Sequence, residues 1–289
     1  MPGGFPMLGG LSNISAVGAA GSGSSPTTIR ASGTANTKGS WTQLTASSAS
    51  DAVAVLVQIS GNGQNTTSRC SVDIGIGGSG SEIVVLPDLI QYRDDGSTQG
   101  ASSQFFFPIS IPAGTRIAAR CQSNVTTDGS SASGNTCGVQ IILFDGDFTQ
   151  SMASAVDSIG FVSGSTTGTA VTPNATAHTK GAYAQLTAST AADYAGFIMA
   201  VDEGGSTTDH PVDQLWDIAI GTQGSEVVIL PNFYMLNSGI SGFYIGGQNP
   251  TATPFLPIRI PAGTRIAARM QTGQASKPSM NLTLYGVRQ

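Results

Sequence analysis

The chain has 289 residues, 39% of them apolar and only 10% charged, far below the roughly 25% charged residues of an average soluble protein. A net charge of -5 and a pI near 4.8 leave no basic footprint for nucleic acid, and no apolar run reaches the about 18 residues of a membrane helix. Three cysteines (Cys70, Cys121, Cys137) without CxxC spacing fit neither a disulfide framework nor a zinc site, so free, mostly buried thiols are expected. The apolar fraction is too high for disorder, and 38 glycines with abundant Ser and Thr point to a turn-rich all-β protein.

The N-terminal stretch "MPGGFPMLGGL" lacks the basic region and the sustained apolar region of an export signal. Residues 1-29, rich in Gly, Ser and Ala, read as a flexible arm. Residues 30-148 and 170-289 then carry the same blocks in the same order. "TKGSWTQLTAS" returns as "TKGAYAQLTAS", "GSEIVVLP" as "GSEVVILP", and "IPAGTRIAAR" returns unchanged. Lys38 and Lys180 are 142 residues apart, whereas Pro108 and Pro257 are 149 apart, so insertions fall between blocks, where loops belong. The period is too long for a solenoid and each copy is of domain size, which predicts two tandem homologous domains joined by a linker over 149-169.

Within each copy the apolar period is two. Phe107, Ile109 and Ile111 alternate with Pro108, Ser110 and Pro112, a half-buried strand whose prolines suit a sheet edge. A Pro-Ala-Gly turn leads into a strand with Ile117, Ala119 and Cys121 on one face, and Met270 takes the place of Cys121 in the second copy. About seven such strands per copy, with no amphipathic helix, predict two antiparallel jelly-roll-like β-sandwiches, with an immunoglobulin-like sandwich as the competing topology.

Chemistry is sparse in this pattern. His178 and His210 read as loop or capping residues. Asp73, Asp217, Glu82 and Glu226 sit in "DIGIGxxGSE"-type hairpins that lack the Asp-x-Asp-x-Asp-Gly core of a calcium loop. Neither a catalytic set nor a metal site nor a cofactor is expected. Arg116 with Arg120, and Arg265 with Arg269, share a strand face; guanidinium forks suit carboxylates and phosphates, so they are candidate contacts to a neighbouring subunit, an anion or a glycan. The alternative is cross-strand pairing with Glu82 and Glu226. Trp41 and Tyr183, aligned after "TKG", are candidate sugar-stacking aromatics or rim packing.

The paired blocks "TKGSWTQLTAS"/"TKGAYAQLTAS", "GSEIVVLP"/"GSEVVILP" and "PISIPAGTRIAAR"/"PIRIPAGTRIAAR" resemble those of duplicated structural proteins of tailed bacteriophage virions. That resemblance implies a non-enzymatic capsid decoration or tail component, assembled in the host cytoplasm and resident in the virion. Its expected partners are the major capsid protein or tail and connector proteins, together with further copies of itself, a trimer among the options. Anchoring would fall to the N-terminal arm. The alternative is a receptor- or glycan-binding module of a fibre or spike, contacting host surface glycans through the divergent loops "QYRDDGSTQGASSQ" and "NSGISGFYIGGQNPTATP".

Overall fold

A computed structural model describes residues 14–18, 26–61, 68–93, 102–126, 136–146, 153–203, 213–236 and 251–289. The first domain contains β1 (Ile14–Val17), β2 (Thr27–Arg30), β3 (Thr42–Thr45), β4 (Ala52–Gly61), β5 (Ser68–Ile76), β6 (Ile83–Arg93), β7 (Ser102–Phe107), β8 (Ile117–Ser123) and β9 (Thr136–Asp145). The second contains β10 (Val156–Ile159), β11 (Thr169–Val171), β12 (Ala184–Thr187), β13 (Tyr194–Glu203), β14 (Asp213–Ile220), β15 (Val227–Leu236), β16 (Thr251–Ala252), β17 (Ile266–Thr272) and β18 (Met280–Arg288). The one helical turn among the described residues is a 3₁₀ turn at Ser163–Ser165, and no helix is long and apolar enough to cross a membrane.

In the first domain one sheet has the order β1-β9-β4-β7, with β2 also on β9, and the facing sheet has the order β3-β8-β5-β6. The second domain repeats both orders, as β10-β18-β13-β16 with β11 on β18, and β12-β17-β14-β15. All strand pairings are antiparallel. With the split first strand counted once, this is the jelly-roll order, two sheets of alternating Greek-key strands packed face to face.

The sequence expectation of about seven strands per copy missed the first strand of each domain. Part of the 1–29 arm forms β1 and β2, and residues 156–159 of the supposed linker form β10. Each is only four residues long, and each is held by pairing to the last strand of its own domain. The rest of the arm, residues 1–13 and 19–25, lies outside the described residues.

The proline-containing stretch is only partly regular. β7 is an edge strand, but it stops at Phe107, before either proline; Ile109 and Ile111 are buried and joined to the fold through isolated bridges. In the second domain β16 is shorter still, and Leu256 and Ile260 make bridges of the same kind to Phe197 and Tyr194.

Two distant blocks turn out to be one local structure. Gly114 and Gly263 take φ of 75° and 74°, the left-handed region open to glycine. The Pro-Ala-Gly turn they form is tied to the "LTASxxxD" segment. Asp51 Oδ1 accepts the Ala113 N–H at 2.7 Å, and the Ser48 hydroxyl donates to the Pro112 carbonyl at 2.8 Å. Asp193 and Thr190 do the same for Ala262 and Pro261, at 2.7 Å each.

The first core gathers Val57, Ile59, Val72, Ile74, Phe105 and Ile117; the second gathers Phe197, Met199, Trp216, Ile218, Met270 and Leu284. Each fully buried side chain of this kind contributes about 1.5–3 kcal/mol. Cys70, Cys121 and Cys137 are buried in the first core as thiols, with no disulfide among them. Bonding to the Cys121 and Cys70 thiols, together with full burial, pushes the Cys137 thiol well above its ordinary pKa and keeps it unreactive.

The domains dock asymmetrically. The outer face of the β10-β18-β13-β16 sheet presents Val156, Ile198, Ala200, Tyr285 and Val287 to the first domain, where they join its core cluster. Tyr285 packs edge-on against Phe105 and Phe107, with ring centroids 5.5 and 6.1 Å apart. Its hydroxyl donates to the Asp88 carbonyl at 2.8 Å and accepts the Ile90 N–H at 3.0 Å. Ser158 donates to Asp88 Oδ2 at 2.9 Å, and Arg69 pairs with the fully buried Asp202 at 2.9 Å.

Candidate functional site

Each domain carries the same charged and aromatic cluster on the outer face of its second sheet. The cluster begins with a backbone irregularity. Asp88 and Asn232, both following a proline inside a strand, adopt φ of 53° and 48° where the β5–β6 and β14–β15 registers shift. A bulge of this kind leaves a ladder N–H without its strand partner. Here a side chain takes it: Asp73 Oδ1 accepts the Asp88 N–H at 2.9 Å, and Asp217 Oδ1 accepts the Asn232 N–H at 2.8 Å.

That buried carboxylate then collects two cations. Lys38 Nζ lies 2.7 Å from Asp73 Oδ1 and Arg120 Nε lies 2.9 Å from Asp73 Oδ2; Lys38 also reaches Asp88 at 2.8 Å. In the second domain Lys180 and Arg269 hold Asp217 at 2.8 and 2.9 Å. Burial alone would raise the Asp217 carboxyl, but Lys180, the Asn232 N–H and Arg269 outweigh it and hold the group below the ordinary carboxylate range.

The arginines also carry the aromatics. The Arg120 guanidinium lies 4.5 Å from the Trp41 ring centre, and Arg269 lies 4.5 Å from that of Tyr183. Such contacts contribute about 0.5–2 kcal/mol according to their desolvation. Trp41 also presses on Gly75, where an added Cβ would sit 2.6 Å from the ring. The second domain pairs the smaller Tyr183 with Ala219 at the equivalent position.

Arg116 and Arg265 belong to a separate network at the hairpin. Arg116 Nη1 donates to Glu82 at 2.8 Å and to the Gly77 carbonyl at 3.1 Å, while its Nε donates to Gln43 at 3.0 Å. Arg265 repeats this with Glu226, Gly221 and Gln185 at 3.1, 3.0 and 2.9 Å. Glu82 and Glu226 additionally accept the Gly80 and Gly224 N–H groups at 3.0 Å. The four arginines thus divide: Arg116 and Arg265 pair with the glutamates, while Arg120 and Arg269 pair with Asp73 and Asp217.

Two pairs of residues were missed by sequence reasoning: Lys38 with Lys180, and Asp88 with Asn232. The signal for the first was present, because two of the chain's three lysines occupy the same place in "TKG". His178 sits exposed in a left-handed turn, with φ of 57°, where Asn36 stands in the first domain with φ of 54°. His210 and most of the two divergent loops lie outside the described residues.

Beside each cluster runs a shallow groove of about 420 Å³. Arg30, Ser32, Lys38 and Ser40 line the first; Thr172, Asn174, Ala182 and Tyr183 line the second, at equivalent positions except for Tyr183. These walls offer hydroxyl, amide and cationic contacts. Among the described residues no group of three or more His, Cys, Asp or Glu side chains is arranged to hold a metal ion.

No described protein family and no curated protein matches the sequence. Among solved structures, the chain is similar to PNGF-II in a C2 crystal form, at 11% identity and TM-score 0.38, with 86% of this chain and 59% of that chain covered. A P21 form of PNGF-II aligns at 12% identity and TM-score 0.38, covering 96% and 66%. A structure of the infectious bursal disease virus Gt strain aligns at 13% identity and TM-score 0.23, covering 83% and 57%. The chain therefore spans 59% to 66% of the length of the PNGF-II chains, and it is an all-β protein with distant structural likenesses to these.

Proposed function

We propose that this chain is a non-enzymatic structural protein of a bacteriophage virion, a capsid decoration or tail component that acts through protein contacts. The observation that carries this reading is the engagement of the site residues within their own sheets. Arg120 and Arg269 are each committed to a buried carboxylate and to an aromatic ring, and Arg116 and Arg265 to a glutamate and a carbonyl. Trp41, the best candidate for stacking on a sugar, already has its ring against a guanidinium and the Gly75 backbone. Such clusters stiffen a sheet, and a rigid body with two homologous domains suits repeated contacts in a symmetric particle.

Quantitative mass spectrometry of purified virions of the phage that encodes this chain tests the reading. Many copies per particle are expected, in a ratio fixed to a head or tail protein. Absence from washed particles would overturn it. Selective, saturable glycan-array binding by the intact chain, abolished by substitutions in the Arg30–Lys38 groove, would move the assignment to the receptor-binding alternative.

A further inference from the structure

The contact between the two domains is a contact between homologous units, and it is not reciprocal. The second domain offers a sheet face; the first offers the opening between edge strands β6 and β7. The first domain therefore retains its own copy of the face, and the second retains its own copy of the edge.

The retained face is largely apolar, with Gln58 where the second domain has Ala200. Ile198, Tyr285, Val287, Val156 and Phe255 of the second domain correspond by register and sequence to Leu56, Ile142, Phe144, Ile14 and Phe106 of the first. The first four of the second-domain set are at most 3% exposed, and Phe255 packs against the first core. Their first-domain counterparts are all exposed to some degree, Ile14 at 57% and Phe106 at 40%. A one-sided antiparallel sheet ordinarily turns polar residues to water, so a run of five large apolar side chains marks a surface meant for covering.

The retained edge shows the same contrast. Ile90, fully buried beneath the second domain, corresponds to Tyr234, which is 55% exposed; Leu89 and Phe107 correspond to the partly buried Phe233 and Leu256. Among the described residues nothing covers this set.

We propose that a second copy of this chain supplies the missing partner. Its first-domain face (Leu56, Phe106, Ile142, Phe144) docks on the β15 edge at Phe233 and Tyr234, continuing between chains the domain contact already made within one. A heterologous contact of this sort propagates head to tail, into a closed ring or an open fibre; a ring of three chains would set six jelly rolls about a pseudo-sixfold axis. The contact between chains lacks the polar ties of its counterpart within the chain, with Gln58 in the place of Ala200. Ile142 has no hydroxyl to match that of Tyr285, and the Arg69–Asp202 pair is replaced by Asp213 facing Ser60. It is therefore weaker, concentration-dependent and insensitive to salt. This inference rests on the repeat geometry and is independent of the virion assignment.

Sedimentation velocity of the full chain over a wide concentration range tests it. Wild type should assemble beyond the monomer. Phe106→Arg on the face and Tyr234→Arg on the edge should each weaken association about tenfold or more while melting like wild type by circular dichroism. Mixing the two variants separates head-to-tail docking from other modes, because each keeps the half that the other lost. A one-to-one dimer in the mixture is the expected result. A wild-type chain that stays monomeric throughout would overturn the proposal. So would a Tyr234→Arg chain that assembles as wild type does, which would signify face-to-face pairing, or a mixture that does not pair.

Discussion

The two jelly rolls share a topology and a carboxylate-centred cluster, yet their outer faces live in different surroundings. In the second domain the sheet holding β18 is buried on both sides: Leu282 and Leu284 enter its own core while Tyr285 and Val287 enter that of its neighbour. In the first domain the equivalent Ile142 and Phe144 remain partly exposed. The clusters differ in the same sense. Asp88 bridges to Lys38, Ser158 and, through its carbonyl, Tyr285, whereas Asn232 stands at the same bulge without an ionic partner of that kind. Duplication supplied one scaffold twice, and position in the chain determined which surfaces became interior.

The sharpest way to break this comparison is at Tyr285. Tyr285→Ala removes a buried ring and two hydrogen bonds, and should cost about 3–5 kcal/mol, read from the denaturant midpoint. Ile142→Ala at the equivalent exposed position should cost about 1 kcal/mol. Equal losses would mean that the domains do not depend on this contact.

Next comes the fit of Trp41 to Gly75. Gly75→Ala drives a methyl into the indole and should cost about 1–3 kcal/mol. Adding Trp41→Tyr, which recreates the Tyr183/Ala219 pair of the other domain, should recover most of that loss. A double-mutant cycle measures it, with a coupling of about 0.5–3 kcal/mol expected, and additive losses would show that the two repeats do not exchange volume in this way.

A smaller effect is expected at Asp88. Asp88→Asn imitates Asn232, tolerates the positive φ, and loses only the partly exposed Lys38 pair, so the cost should be about 1 kcal/mol or less by thermal or chemical melting.

The mildest test is titration. Asp217 is held below the ordinary carboxylate range, and so is Asp157, where burial alone would raise the carboxyl but hydrogen bonds from Arg288 and Tyr194 outweigh it. A carboxylate depressed in the folded state contributes its full stabilisation above the unfolded value of about 3.9 and loses it as pH falls through the folded value. Melting temperature should therefore hold down to about pH 4 and fall below it, and Asp217→Asn should flatten that acid limb. An unchanged acid limb in the variant would show that Asp217 does not contribute to it.

Much of this was legible because it is local. Alternation of period two marked β8, whose Ile117, Ala119 and Cys121 all join the core, and positive φ at Gly114 and Gly263 follows from the Pro-Ala-Gly sequence. The matching of Cys121 with Met270 followed from alignment, and both are fully buried. The first strands were illegible for the opposite reason. β1 and β10 are four-residue segments in stretches rich in small residues, and only pairing to β9 and β18, far along the chain, makes them strands. The division of the arginines was equally hidden. Arg120 and Arg116 point to the same face, but which carboxylate each meets depends on the β5–β8 register and on the bulge at Asp88.

By itself, then, the sequence determined that one β-sandwich unit occurs twice, where its tight turns lie, and that its arginines face away from the core. Those properties follow from residue spacing and backbone chemistry, which act over a few positions. Only the tertiary structure decided that "LTASxxxD" and "IPAGT" form a single knot, that Asp73 and Asp217 are the centres of the clusters, and that one sheet face is sealed while its twin stays open. Each of these depends on groups brought together from distant parts of the chain, where desolvation and packing, rather than local pattern, set the outcome.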